Sequence, residues 1–249
     1  ITNAGRIDAG PGEIAVQITG DPNVTLHNSG TIAGHVSLGG GHVELMLTEH
    51  AAVHGNLDLG GAAVPGAKKQ VTIHAGARID GTLTAAGASS SLVLKPSPDG
   101  VERSTLLERT YFFEETVVQG GRWIVGYLEA DRVEVENGRL TLDGELWALD
   151  KLSLAGGRID GNGSIVGHLE NLGGVVDPGS SFGVIHIAGD LFGGDYTQGP
   201  DAVLKIDIKS AVDPKPGEDH DQLVVTGTAR FADGTTIQIV PHPGVYRTG

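Results

Sequence analysis

Cysteine is absent from the 249 residues, which removes disulfides, thiolate-ligated zinc and thiol nucleophiles together. The absence suits a chain that crosses an oxidising periplasm unfolded. Aromatic residues make up 4% of the chain and methionine occurs once, so any core has to be built from small aliphatic side chains. Basic residues are outnumbered, 17 against 31 acidic, and the formal net charge is −14. A surface of that sign repels phosphate backbones and anionic lipid, so neither nucleic acid nor a membrane surface is an expected partner. No apolar run approaches the roughly 20 residues that a membrane-spanning helix needs. An export signal is also missing: Ile1-Thr2-Asn3-Ala4-Gly5 begins in mid-pattern, and the chain reads as a piece of something longer.

Glycine, in contrast, is plentiful, at 40 residues, and 39% of the chain is hydrophobic. There is no collagen-like triplet, and too much aliphatic content for disorder. The glycines belong to a five-residue unit of aliphatic, any, Gly, any, aliphatic. It occurs at Ile32–Val36, Val53–Leu57, Ile79–Leu83, Ile124–Leu128, Leu142–Leu146 and Ile165–Leu169. Successive copies start roughly 20 to 25 residues apart, which is the period of a solenoid. The step from Ile79 to Ile124 is about twice as long and reads as two periods with one copy degraded. Within each unit the fourth position is polar while both ends are aliphatic, as on a pleated strand whose ends face inward. A looser signature precedes strands at Asn3-Ala4-Gly5, Asn28-Ser29-Gly30, Asn137-Gly138 and Gly156-Gly157, where turns are expected. One rung of a solenoid cannot bury its own aliphatic face, whereas stacked rungs line a continuous dry interior. Ten to twelve rungs are expected. The stretch Val101 to Val118 fits neither period and reads as a loop, hairpin or short helix leaving the rod.

From Leu152 onward the sequence carries an ordered series of motifs. Gly161-Asn162-Gly163 is followed by Asp177-Pro178-Gly179-Ser180-Ser181-Phe182-Gly183. Then come Asp195-Tyr196-Thr197 and Asp221-Gln222-Leu223-Val224-Val225-Thr226-Gly227-Thr228-Ala229. This series resembles the C-terminal passenger segment of bacterial autotransporters (type V secretion), the autochaperone region; the close match covers about residues 152 to 247. The resemblance implies a right-handed parallel β-helix exported to the cell surface, held at the outer membrane by a barrel domain that is no part of this sequence. It also implies that these rungs are the folding nucleus. The expected architecture is therefore all-β: a right-handed parallel β-helix, residues 1–151 forming the stem with an insertion near 96–123. Residues 152–249 form the last rungs and a cap, with hairpins expected between Phe192 and Pro241 around turns at Pro214 and Pro216.

Chemistry is sparse. Gly179-Ser180-Ser181-Phe182-Gly183 has the spacing of a hydrolase nucleophile elbow, but a strand rather than a helix follows it, and it reads as a turn. His50 and His54 lie four apart outside any helix, and His35 and His168 occupy outward positions of separate rungs. Asp160-Gly161-Asn162-Gly163 lacks the distal glutamate of a calcium loop. These readings assign no catalytic residue, no metal ligand and no cofactor. The best interaction candidates are Arg103, Arg109, Tyr111, Phe112, Phe113, Arg122, Trp123 and Tyr127, since arginine and aromatic side chains dominate binding hot spots. The expected function is adhesion or cell contact, with a host-cell or matrix protein or glycan, or another cell's passenger, as partner. Two alternatives stand beside it. One is a polysaccharide-active β-helix enzyme, with Asp80 and Asp143 at equivalent outward positions. The other is a spacer and folding module with no binding of its own.

Overall fold

The computed structural model describes residues 1–10, 12–61, 64–86, 89–189, 193–209, 213–244 and 246. Among them there are twenty-six strands and no helix, hence none long and apolar enough to cross a membrane. The strand pairings are parallel throughout and join residues one coil apart, so the chain is a parallel β-helix of about nine turns. That is fewer than the ten to twelve expected, because several coils are longer than the short repeat.

Inward-facing side chains pile into columns. One runs Val16, Val36, Leu57, Leu83, Thr110, Leu128, Leu146, Ile165, Ile187 and Val225, each paired in register with the next. A second runs Leu26, Leu45, Val71, Leu92, Thr116, Val133, Leu152, Leu169 and Tyr196. Most of these residues are fully buried. Burying each aliphatic side chain stabilises the fold by about 1.5–3 kcal/mol, which no isolated coil could gain.

The first column locates the degraded repeat. Leu106 pairs with Ile124, and Thr110 with Leu128, so Leu106–Thr110 is the missing copy, with Glu108 where the others have glycine. The insertion near 96–123 is therefore not an insertion beyond its first residues. Ser104–Leu107 and Thr110–Val118 are ordinary rung strands, paired in parallel with Arg122–Val135 above, and Thr110–Val118 also with Ser90–Lys95 below. The period was obscured because Glu108 and Thr110 replace the usual glycine and aliphatic. The sixth copy departs in another way: Ile165 stacks on Leu146, the last residue of the preceding copy, so Ile165–Leu169 is out of phase with the other five.

The glycines of the true repeat form a ladder of close backbone approaches. A Cβ on Gly144 would stand 2.0 Å from the Gly126 carbonyl oxygen, and one on Gly163 2.3 Å from that of Gly144. Only glycine lets adjacent coils turn this corner in register. Elsewhere the Asn-Gly signature works by side-chain capping: Asn3 and Asn28 Oδ1 accept the N–H groups of Gly5 and Gly30, each at 3.2 Å, and Asn3 Nδ2 donates to Asn28 Oδ1 at 2.8 Å.

The C-terminal strands correct a second expectation. Gln222–Val225, Ala229–Phe231 and Thr236–Pro241 pair in parallel with Val184–Ala188, Tyr196–Gln198 and Val203–Ile208, so they are a final rung rather than hairpins laid across it. One antiparallel excursion does occur at the Pro214 and Pro216 turns. There Lys209 N–H donates to Asp219 O at 2.8 Å and Asp221 N–H to Asp207 O at 2.9 Å. Phe192 and Val245 lie outside the described residues.

Candidate functional site

Alternation decides where the eight interaction candidates point. Trp123 is fully buried, in register between Thr105 and Leu140, and its Nε1 donates to the Gly120 carbonyl at 2.7 Å. Phe113 is buried too, paired with Ala130, which pairs in turn with Ala148, so small residues leave room for the ring. These two belong to the core and not to an interaction surface. Arg103 is held within its own loop: its guanidinium donates to Asp99 Oδ1 at 2.7 Å and Ser97 Oγ at 2.6 Å, and with Ser97 and the Val101 N–H it keeps the Asp99 carboxyl well below the usual range. Arg109 is exposed, and Arg122 is half-buried. Tyr111 and Tyr127 stack with ring centroids 4.8 Å apart, and Phe112 joins Tyr111 at 5.8 Å. Burial, then the charge of Glu129, pushes the Tyr127 hydroxyl up to about 12, so it remains a donor to Glu129 Oε2 at 3.2 Å.

Phe112 stands apart from the rest. Its φ is +64°, and Ser89 on the preceding rung has φ +67°; no other described non-glycine residue takes a positive φ. Left-handed backbone in such residues costs about 1–2 kcal/mol each. The register between Thr110 and Phe113 slips at this point, a β-bulge that re-aims the side chain. The result is that Phe112 is 54% exposed on an element whose neighbours Phe113 and Thr110 are buried. Two rungs on, Leu149 is 58% exposed on the same flank. Between them lies a groove of about 500 Å³ lined by Ser89, Phe112, Phe113, Glu114, Glu129, Ala130, Asp131 and Leu149. Glu114 is fully engaged, accepting the Ser89 N–H at 2.9 Å and facing Arg132 at 3.4 Å. Among the described residues no cation pairs with Glu129 or Asp131. Sequence reading identified Phe112 through composition alone; Leu149, Glu129 and Asp131 carried no signal, because the bulge that gathers them is not encoded in any short motif.

The enzymatic candidates come apart. Asp80 is bound to His54 Nδ1 at 2.6 Å and to Arg78, while Asp143 is exposed several coils away, so no carboxylate ladder forms. His35 and His168 act as fasteners between coils: His35 Nδ1 accepts the Asn56 N–H at 2.8 Å, and His168 Nδ1 accepts that of Asp195 at 3.1 Å. Asn162 of the turn Asp160–Gly163 accepts the Val184 N–H at 3.0 Å.

A buried charge chain, unmarked in the sequence, runs up the last rungs. Arg139 and Arg158 meet the fully buried Asp160, Arg158 also reaches Asp177, and Lys205 Nζ lies 2.8 Å from Asp207 and 3.3 Å from Asp177. Asp177, Asp207 and Asp221 are all buried, with donor atoms within 4.8 Å of one another. The Lys205 ammonium supplies positive charge to this group. Asp221 accepts the Gly183 N–H at 2.9 Å and the Asp207 N–H at 2.7 Å, tying the turn at Gly179–Gly183 to the final rung. Asp195 likewise accepts the Thr228 N–H at 2.7 Å. Asp195 and Asp221 of the C-terminal motifs are thus inter-coil caps, whereas Asp177 is held by the Arg158 and Lys205 side chains.

Fold and flank together define a parallel β-solenoid with an exposed ledge at Phe112 and Leu149. No protein-family model, curated protein or solved structure matches the chain.

Proposed function

We propose that this chain is part of the surface-exposed passenger of a bacterial autotransporter, working in adhesion or cell contact through the flank around Phe112. In this reading the rod is the stalk, anchored through an outer-membrane barrel elsewhere in the parent protein, and residues 152–249 are the segment that folds first during export. The partner is a host-cell or matrix protein or glycan, or the passenger of a neighbouring cell. Three features support the reading: the β-helix itself, the order of the C-terminal motifs, and their use as caps between the last coils. The observation that carries the binding role is Phe112, whose ring a costly left-handed backbone turns outward beside the buried Phe113.

The test is binding of the purified chain to a glycan array and to immobilised matrix proteins, beside a Phe112→Ser/Leu149→Ser variant. At least a tenfold loss of binding in the variant is expected. Wild-type chain that binds no ligand at high concentration leaves the spacer reading in place of adhesion, and release of reducing ends from a polysaccharide favours the enzyme.

A further inference from the structure

The groove between Phe112 and Leu149 has a chemistry that narrows its partner. We infer that it receives an extended protein segment bearing lysine or arginine between apolar residues. The inference rests on the reading of this flank as a binding face and names what that face takes.

The floor is apolar, with two large side chains more than half exposed. The rim is acidic, and its carboxylates are not equivalent. Glu114 has both oxygens committed, one to the Ser89 N–H and one to Arg132. Glu129 receives a single neutral donor, the Tyr127 hydroxyl, and Asp131 makes no ion pair among the described residues. Two carboxylates without a cation therefore overlook an apolar ledge. A lysine or arginine side chain matches both parts, because its methylene stem packs on apolar surface while its charge stays at the polar edge. An aromatic face adds attraction for that cation. The flank's own cations do not neutralise the pair: Arg132 turns to Glu114 and Lys151 to Glu170 at 2.8 Å. Over longer range the net charge of −14 steers cationic partners toward the rod and repels acidic glycans.

The probe is a fluorescein-labelled ten-residue peptide alternating lysine and leucine, with serine-for-lysine and glutamate-for-lysine analogues, titrated with the full chain by anisotropy. The lysine peptide is expected to bind and the glutamate peptide not to. Glu129→Gln/Asp131→Asn is expected to weaken binding at least tenfold, as is Phe112→Ser, while the same charge change at the exposed Asp143 (Asp143→Asn) leaves it within twofold. Raising the salt from 50 to 500 mM weakens the wild type more than the double variant, which keeps only the longer-range attraction of the rest of the acidic chain. Equal binding of the serine analogue, or equal loss in Asp143→Asn, overturns the inference, because attachment is then apolar or non-specific. Binding to matrix or glycan that depends on Phe112 but not on Glu129 and Asp131 overturns it while leaving the adhesion reading intact. Absence of any Phe112-dependent binding removes both.

Discussion

Ser90 fixes the backbone of Phe112: its hydroxyl donates to the Phe112 carbonyl at 3.1 Å and accepts the Glu114 N–H at 2.9 Å. Ser90 is itself buried and lies one coil below, so the outward aromatic is held from the interior side of the sheet. Ser90→Ala leaves the partly buried Phe112 carbonyl and Glu114 N–H without this partner, which costs about 1 kcal/mol. The variant is expected to lower the midpoint of thermal unfolding and to weaken binding at the groove beyond what the stability loss accounts for. An unchanged affinity would show that the ledge is held by the bulge alone.

Backbone strain at Phe112 makes a second, opposite expectation. Glycine adopts the positive φ of this position freely, whereas alanine does not. Phe112→Gly and Phe112→Ala both delete the ring, yet the glycine variant should be the more stable by about 1 kcal/mol, read as the difference in denaturant midpoints at equal slope. Equal stabilities would mean that the loop relaxes once the ring is gone.

The glycine ladder predicts a graded series. Gly144→Ala places a Cβ 2.0 Å from the Gly126 carbonyl oxygen, where backbone has to move, whereas Gly126→Ala meets the Glu108 Cα at 3.3 Å. The first is expected to unfold or severely destabilise the chain and the second to be mild. The asymmetry arises where Gly126 faces Glu108 of the degraded copy, whose nearest backbone atoms leave a Cβ 3.3 Å of room. Similar behaviour of the two variants in a thermal melt would contradict the stacking order of these coils.

Which parts were legible follows from scale. Alternation and the coil-length period are averaged over many positions, so the column through Val36, Leu57 and Leu83 was readable from pattern alone. Two replacements, at Glu108 and Thr110, were enough to make an ordinary rung look like an excursion. Trp123 and Phe113 went to the wrong side for a related reason. Composition marked them as hot-spot residues, but Trp123 shares its phase with the buried Val125, and Phe113 its column with Ala130 and Ala148. The β-bulge at Phe112 and the links that carry the charge chain from coil to coil, Arg139 to Asp160 and Arg158 to Asp177, depend on residues that meet only after coiling, and no local spacing announces them.

Trp123 gives a direct optical check of that correction. Trp147 is half-buried, with Nε1 donating to Glu145 at 3.0 Å, while Trp123 is fully enclosed. In a Trp147→Phe background the remaining emission should be blue-shifted and resistant to acrylamide quenching. Trp123→Ala should lose about 3–5 kcal/mol of stability, as expected for emptying a core site of that size. A red-shifted, readily quenched signal from Trp123 would return it to the surface.

The charge chain in the last rungs predicts how stability responds to pH. Burial pushes the Asp221 carboxyl up to about 6, against the pull of the Asp207 and Gly183 N–H groups and with the help of the nearby Asp207 and Asp177 charges. Asp177 is raised as well, again by burial, in spite of Arg158 and Lys205. An unfolded aspartate titrates near 3.9, so between about pH 4 and 6 the folded chain binds more protons at Asp221 than the unfolded chain does. The stability contributed by this proton is complete below about pH 4 and disappears as the pH rises through about 6. Asn at position 221 cannot ionise, and it keeps one acceptor for the Gly183 or the Asp207 N–H. Asp221→Asn therefore carries a constant penalty for the lost second acceptor. Relative to the wild type, however, its unfolding midpoint should rise by several degrees between pH 4 and 7 and stay level beyond. The measurement is the difference between the two melting curves across that range, in which the carboxylates remote from Asp221 cancel. A difference that is flat, or that falls with pH, would place the Asp221 proton elsewhere and leave the final rung fastened by the same hydrogen bonds at every pH.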